Sequence, residues 1–240
     1  MSPHSDDPRA IGRRWRAVGP GIWTVEGDQI RFLSFPFALR STVIALSNGA
    51  LLVHSPVQLA AAEGIDALGN VGHLVTPNAF HHRFLGEWAA GYPDARLYAP
   101  PGLRRKRQDL SFAADLEAEA PATWAEVVDQ RIVPGALLSE VVFFHRPSRT
   151  LILGDLIENH DPRTLNRVHR WFAAANRVLA PRGSTARFIR PTFWRRRRVR
   201  EVLREVLAWE PQRVILVHGP CIEDHAVDFL RDSLGWALRD

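Results

Sequence analysis

Short apolar runs, separated by glycine or by polar residues, dominate the beginning of the chain. They are rich in β-branched and aromatic residues, which is typical of strands. The pattern predicts four strands, at residues 21–25, 30–35, 42–46 and 51–54. Turns are predicted at residues 26–28 and 47–49, because each stretch combines a glycine with two polar residues. Four antiparallel strands are therefore expected before the first helix.

From residue 59 onward the pattern alternates between helices and strands. Helices are predicted at residues 59–68, 84–90, 165–178 and 224–238, with a further arginine-rich helix near residues 195–207. Strands are predicted at residues 73–76, 95–99 and 213–217, and the acidic stretch 109–119 is expected to be irregular. Antiparallel strands followed by alternating elements indicate an α/β (α+β) chain with two packed sheets.

A second hairpin is predicted in the middle of the chain. Apolar runs at residues 140–144 and 150–153 flank a polar turn that contains Pro147 and Ser148. The second run ends at Gly154 and Asp155, where glycine is expected to adopt a conformation that other residues resist. An acid at the carboxyl end of a strand lies where sites gather in α/β sheets.

Composition indicates one folded domain. The 240 residues are 46% hydrophobic, and we predict a flexible extension at residues 1–20 followed by a single domain at 21–240. Cys221 is the only cysteine, so the chain forms no internal disulfide. No secretion signal and no apolar run of about 18 residues are present, which predicts a cytoplasmic protein without a membrane span.

The charge pattern changes this picture little. The formal net charge is +5, and arginine runs occur at residues 104–107 and 195–198, interrupted only by Lys106. We expect both runs to form solvated faces, which predicts no nucleic-acid partner and no membrane partner. Trp88, Trp171 and Trp194 are expected in the core. A small-molecule substrate or ligand is the expected partner, and the sequence leaves the oligomeric state open.

The second hairpin carries a resemblance to a known family. The stretch Val133-Pro134-Gly135-Ala136, followed by the hairpin and by Gly154-Asp155, resembles the corresponding segment of metallo-β-lactamase-like proteins. Asn78 with His81-His82, and residues 52–56, resemble a bacterial branch known as a domain of unknown function. The resemblance implies a four-layer αββα sandwich.

The resemblance also implies that one of the family's two metal sites is lost. The family's first motif is His-x-His-x-Asp-His, and residues 77–82 occupy its place. Aligned on the final histidine, Pro77 and Ala79 replace the paired histidines and His81 replaces the aspartate. Ala136 stands where a histidine usually follows Pro-Gly. Alanine and proline side chains cannot bind a transition metal.

The second metal site keeps its ligand positions in this alignment. The implied ligands are His82, Asp155 and His218, with His81 as a possible fourth. Imidazoles with one carboxylate suit a single zinc or iron ion, which would acidify a water molecule for attack on a carbonyl. At most one metal ion is expected, and a metal-free protein is the alternative.

Three further residues are candidates for the pocket or for support of the ligands. They are His54, Asn78 and Glu140. Structural alternatives stay open: His81-His82 could cap a helix, Asp155 could brace its loop, and His218 could be an ordinary buried histidine. The expected function is metal-dependent hydrolysis of a small ester, thioester or amide. The alternative is a catalytically silent member of the fold that binds a small molecule or a protein.

Overall fold

Two β-sheets face each other in the structure, a computed structural model that describes residues 12–239. The first sheet has seven strands in chain order. They are β1 (Trp15–Gly19), β2 (Ile22–Phe32), β3 (Phe35–Ala45), β4 (Ala50–His54), β5 (Asn70–Val75), β6 (Arg96–Ala99) and β7 (Ala114–Asp115). The pairs from β1 to β4 are antiparallel, whereas those from β4 to β7 are parallel.

The second sheet has four strands in the order β11-β10-β9-β8. They are β8 (Val128–Val133), β9 (Glu140–His145), β10 (Thr150–Leu153) and β11 (Arg213–Leu216). The predicted second hairpin is formed by β9 and β10, which are antiparallel. Because β10 and β11 are parallel, their carboxyl ends meet at one edge of the sheet.

Six α-helices cover the outer faces in the described part of the chain. They are α1 (Leu85–Gly91), α2 (Leu103–Lys106), α3 (Arg167–Asn176), α4 (Arg196–Ala208), α5 (Ala226–Ser233) and α6 (Gly235–Leu238). In α4 the buried residues Val199, Val202, Leu203 and Val206 recur at helical spacing. None of the described helices is long and apolar enough to cross a membrane.

Four apolar clusters pack these elements together, and the smallest includes Ala173 of α3 and Phe35 of β3. One cluster, which includes Ile44, Phe143 and Ile152, fills the space between the sheets. A second packs α1 against the first sheet, and a third packs α4, α5 and α6 against the second sheet. The fold is therefore the four-layer αββα sandwich that the family resemblance implied.

The beginning of the chain differs from the prediction. Strand β1 already belongs to the first sheet, so the folded part starts before residue 21, while residues 1–11 lie outside the described residues. The predicted turn at residues 26–28 is instead a register shift within the long strand β2. The chain reverses at Leu33 and Ser34, which both have positive φ.

Two further predictions require correction. Residues predicted as one helix at 59–68 form two short 3-10 turns, Leu59–Ala62 and Ile65–Ala67. Trp88 is fully buried as expected, but Trp171 and Trp194 are mostly exposed. Neither of these two tryptophans therefore belongs to the core.

Candidate metal centre

Three side chains from three separate loops meet at one edge of the sandwich. His81 lies in the loop after β5, Asp155 in the turn after β10, and His218 in the turn after β11. The Nε2 atoms of His81 and His218 lie 3.1 Å and 3.2 Å from Oδ1 of Asp155. The three ligand atoms all lie within 4.8 Å of one another, which makes the group a candidate metal site.

The far nitrogen of each imidazole ring is held by the surrounding chain. Nδ1 of His81 lies 2.9 Å from the hydroxyl of Ser55, and Nδ1 of His218 lies 2.7 Å from the carbonyl oxygen of Ala38. The ring of Phe37 packs edge-on against His218. Both Nε2 atoms are thus aimed at the same point, as is usual for metal-binding histidines whose other nitrogen is hydrogen-bonded.

The protonation of His218 follows from these contacts. A carbonyl oxygen only accepts hydrogen bonds, so Nδ1 of His218 must carry the proton that it donates to Ala38. In the neutral ring, Nε2 then directs a lone pair at the carboxylate of Asp155. A cation must lie between them, either a second proton or a metal ion.

The pKa shifts agree with this arrangement in the metal-free protein. Burial alone would lower the pKa of His218, but the hydrogen bond and charge of Asp155 raise it. Burial alone would raise the pKa of Asp155, but His81 and His218 hold it well below its usual range. The carboxylate therefore stays charged and is available to a metal.

The spacing of the ligand atoms also fits a metal. Zinc bonds to nitrogen and oxygen are about 2.0–2.2 Å long, so neighbouring ligand atoms in a tetrahedral site lie roughly 3.3 Å apart. The two distances from Asp155 to the histidines are close to this value. Three protein ligands are the number found in catalytic zinc sites, which keep a fourth position open.

The structure does not bring His82 into this group. Its Nδ1 lies 3.3 Å from the guanidinium of Arg107, which also donates a hydrogen bond to the His82 carbonyl. Burial and the positive charges of Lys106 and Arg107 lower the pKa of His82. His81, the expected additional ligand, is the histidine of this pair that lies in the group with Asp155 and His218.

Asn78 and Glu140 form a buried support beneath Asp155. The amide nitrogen of Asn78 donates to Glu140 at 3.1 Å and to Oδ2 of Asp155 at 2.9 Å. Glu140 also accepts the backbone N–H groups of Gly154, Asp155 and Leu156 at 2.6–2.9 Å. One carboxyl group therefore fixes the turn that carries the Asp155 ligand.

The pKa values of Glu140 and Asp155 are shifted in opposite directions in the metal-free protein. Complete burial and the neighbouring charge of Asp155 raise the pKa of Glu140 to about 8, although its hydrogen bonds oppose this shift. The two neighbouring acids are therefore shifted in opposite directions, since the pKa of Asp155 is lowered by the histidines that it faces. The acid that faces the histidines is therefore the one whose anionic form is stabilised.

Two glycines are required for close packing around the ligands. Gly154 does not have a positive φ, contrary to the expectation from the sequence. Its role is to leave space, because a Cβ there would approach Pro77 to 2.7 Å. Gly219 has a φ of +100°, and a Cβ there would lie 1.9 Å from the carbonyl oxygen of Asn159. Both turns therefore lie too close to neighbouring atoms, the Pro77 side chain and the Asn159 backbone, to accept a side chain at these positions.

His54 lies in the core near the candidate metal centre. Both of its ring nitrogens are buried, neither has a hydrogen-bond partner among the described residues, and its ring packs edge-on against Phe143. Burial, with a contribution from His81, lowers the pKa of His54 to about 3. His54 is therefore a neutral residue beneath the site, and the structure shows no contact from it to Asp155.

The sequence did not single out Ser55 or the Ala38 carbonyl, which hold the two histidines. Ser55 was visible only as a polar residue directly after β4. A backbone carbonyl gives no signal in the sequence. At the positions of the lost site, Pro77 packs on Gly154 and Ala136 is exposed, and none of these side chains offers a metal ligand.

The layers, the strand order and the site at the sheet edge define a metallo-β-lactamase fold. The chain belongs to the family DUF4336, described as a domain of unknown function, whose model matches residues 20–166. No curated protein matches the chain.

Solved structures of the same fold cover most of the chain. A metallo-β-lactamase from Hirschia baltica is 14% identical, with a TM-score of 0.64, over 93% of this chain and 96% of that one. The metallo-β-lactamase FIM-1 from Pseudomonas aeruginosa, in a mono-zinc form, is 12% identical, with a TM-score of 0.63, over 94% and 96%. The Flv1 flavodiiron core from Synechocystis sp. is 10% identical, with a TM-score of 0.64, over 93% and 60%. At these identities the similarity concerns the fold.

Proposed function

We propose that this protein is a hydrolase that uses a single metal ion held by His81, Asp155 and His218. The observation that carries the proposal is the pairing of two imidazole Nε2 atoms with one carboxylate oxygen. The Nδ1 contact from His218 to Ala38 leaves its Nε2 in need of a cation at this point.

The proposed substrate is a small ester, thioester or amide. A zinc or iron ion bound here would polarise a carbonyl group and acidify water for attack on it. The chain itself would supply a fixed ligand set, because Ser55 and Ala38 orient the rings and Glu140 holds the Asp155 turn. The mono-zinc form of the Pseudomonas aeruginosa enzyme supports a single-metal arrangement on this fold.

The second candidate function is that of a catalytically silent binding module. It is favoured by the loss of donor side chains at Pro77, Ala79 and Ala136, where the resemblance expects ligands of the first metal site. A protein of this kind would retain the fold and bind a small molecule or a protein at the same edge. Turnover, rather than metal content alone, distinguishes it from the hydrolase.

Removal and return of the metal test the hydrolase directly. Protein treated with a chelator is expected to lose hydrolysis of a chromogenic acetate ester, a thioester or an anilide. About one equivalent of zinc or ferrous iron should restore it. His81→Ala should remain inactive after metal is returned, whereas His82→Ala should recover, because only His81 faces Asp155.

The adjacent histidines provide the matched control, since both variants remove one imidazole from the same loop. Recovery of the His81→Ala variant, or failure of His82→Ala alone, would contradict the assignment. Metal binding without turnover on any of the three substrate classes would favour the silent module.

A further inference from the structure

The positive charge of the chain is concentrated in one continuous segment. Residues 162–200 contain no aspartate and no glutamate. They contain 12 arginines, at positions 163, 167, 170, 177, 182, 187, 190, 195, 196, 197, 198 and 200. Because the whole chain has a formal charge of only +5, the remainder is net acidic. This segment therefore carries a much larger positive charge than the net charge of the whole chain indicates.

Helix α3 within this segment turns an apolar stripe toward solvent. Val168, Trp171, Phe172 and Ala175 recur at the spacing of one helix face, and all four are exposed. Val168 is 72% exposed and Trp171 is 73% exposed. Such a stripe normally faces the core, yet Ala173 is the one buried residue of this helix. Val168 and Trp171, the most exposed residues of the stripe, therefore point away from the core.

The neighbouring segments extend this stripe into one surface. Phe188 is exposed and its ring centroid lies 6.4 Å from that of Phe172. Arg187 donates to the carbonyl of Ala175 in α3 at 3.1 Å. Exposed Trp194 lies beneath the guanidinium of Arg195 at 4.7 Å. We call α3 together with the exposed residues of the segment 182–196 the basic-aromatic surface.

The positive charges of the arginines on this surface repel one another. Burial lowers the pKa of Arg190, and the positive charges of Arg187, Arg177 and Arg196 lower it further. These four arginines come from the end of α3, the loop after it and the start of α4, so the three parts are close in space. Among the described ion pairs, none joins a carboxylate to Arg167, Arg170, Arg177, Arg187, Arg190 or Arg196.

We propose that the basic-aromatic surface binds an anionic phospholipid bilayer. The arginines match the negative charge of the headgroups, and the stripe of α3 matches the apolar region just below them. Tryptophan favours this interface because its ring is largely apolar while its indole N–H can form a hydrogen bond with water or a headgroup. Phenylalanine adds apolar area to the same face. The binding is peripheral, since the helix lies along the bilayer surface.

The apolar stripe decides between a bilayer and other anionic partners. Nucleic acid offers phosphates and bases on which aromatic rings stack, but it offers nothing to Val168 or Ala175. An acidic protein surface would match the arginines but would leave the same stripe in contact with charge. A bilayer satisfies both parts of the surface at once. The sequence predicted no membrane partner because it treated the arginine runs separately and placed Trp171 in the core.

The surface is also continuous with the candidate metal centre. The ring of Phe172 contacts Phe35, Phe35 contacts Phe37, and Phe37 contacts His218, with centroid distances of 5.0–5.8 Å. The proposal rests on the charge and the exposed stripe, and it does not depend on the proposed hydrolase function.

Vesicle sedimentation tests this binding. The full chain is mixed with vesicles of phosphatidylcholine that contain about one third phosphatidylserine, or with pure phosphatidylcholine vesicles. We expect binding to the anionic vesicles only. Val168→Ser/Trp171→Ser should weaken it about tenfold or more, and Arg167→Gln/Arg170→Gln about thirtyfold. Arg83→Gln/Arg105→Gln removes the same charge elsewhere and should bind as the parent does.

All four substituted residues of the surface are exposed, so the variants should keep the parent's thermal unfolding. Equal losses in the surface pair and in the control pair of arginines would overturn the proposal. So would absence of binding to the anionic vesicles, or unchanged binding by Val168→Ser/Trp171→Ser. Tighter binding to a single-stranded or duplex oligonucleotide in the same buffer would assign the surface to nucleic acid instead.

Discussion

Replacement of Asp155 by asparagine is expected to abolish metal binding while the sandwich remains folded. Asparagine keeps the shape of the side chain but removes the anionic oxygen that both histidines face at 3.1 Å and 3.2 Å. Loss of a residue that merely supports a ligand costs 10–100-fold in metal affinity, so loss of this ligand should exceed about a hundredfold. Isothermal titration of the chelator-treated protein with zinc measures the change.

Asp161→Asn is the matched control for this substitution. Asp161 caps a short 3-10 turn and pairs with Arg163. It is not one of the three residues whose ligand atoms form the candidate metal site. Its replacement should leave the zinc affinity unchanged. Equal zinc affinities in the parent and in Asp155→Asn would assign Asp155 to the structure of its turn alone.

Replacement of Glu140 by alanine is expected to destabilise the fold far more than replacement of an exposed glutamate does. The substitution removes the acceptor for three backbone N–H groups and for the amide of Asn78, all in a buried environment. Unsatisfied buried donors cost about 1–3 kcal/mol each, but the turn can relax to recover part of this. We therefore expect the free energy of unfolding to fall by about 3–5 kcal/mol in total.

Urea unfolding of Glu140→Ala and of Glu205→Ala provides the comparison. Glu205 is exposed and pairs with Arg131 on the surface, where such a pair contributes less than about 1 kcal/mol. A loss at Glu140 no greater than the loss at Glu205 would show that the turn does not depend on its carboxyl group.

The sequence predicted the parts of the fold that are determined by burial. Strands β9 and β10 match the predicted hairpin closely, because both are fully buried and consist almost entirely of apolar residues. The prediction failed where β2 and β3 extend beyond the core. There Glu26 and Asp28 are polar because they face solvent, and the alternation that marks a half-buried strand is interrupted by a bulge near Gly27.

The edge of the sandwich that holds the candidate metal centre was predicted better than the individual ligands were. Asp155 and His218 directly follow strands β10 and β11, and the family resemblance placed both at this edge. His81 and His82 are adjacent in a loop, where the direction of each side chain depends on distant partners. Arg107 holds His82, and Ser55 holds His81. Such contacts cannot be predicted from the spacing of residues.

The exposed tryptophans show the same limit of prediction from residue spacing. A tryptophan at helical spacing is usually a core residue, and α3 has the apolar pattern of a helix that packs inward. The structure turns Trp171 outward because the face of α3 that packs inward presents the small residue Ala173. Periodicity predicts that one face of a helix is apolar, and tertiary packing determines what that face meets.

Elemental analysis of protein purified without chelator tests the central claim most directly. The three ligand atoms of His81, Asp155 and His218 can hold one ion, and the lost ligand positions hold none. We therefore expect about one zinc or iron ion per chain, present in the parent and in His82→Ala and absent from Asp155→Asn. Two tightly bound ions per chain, or none even after dialysis against zinc, would contradict the account.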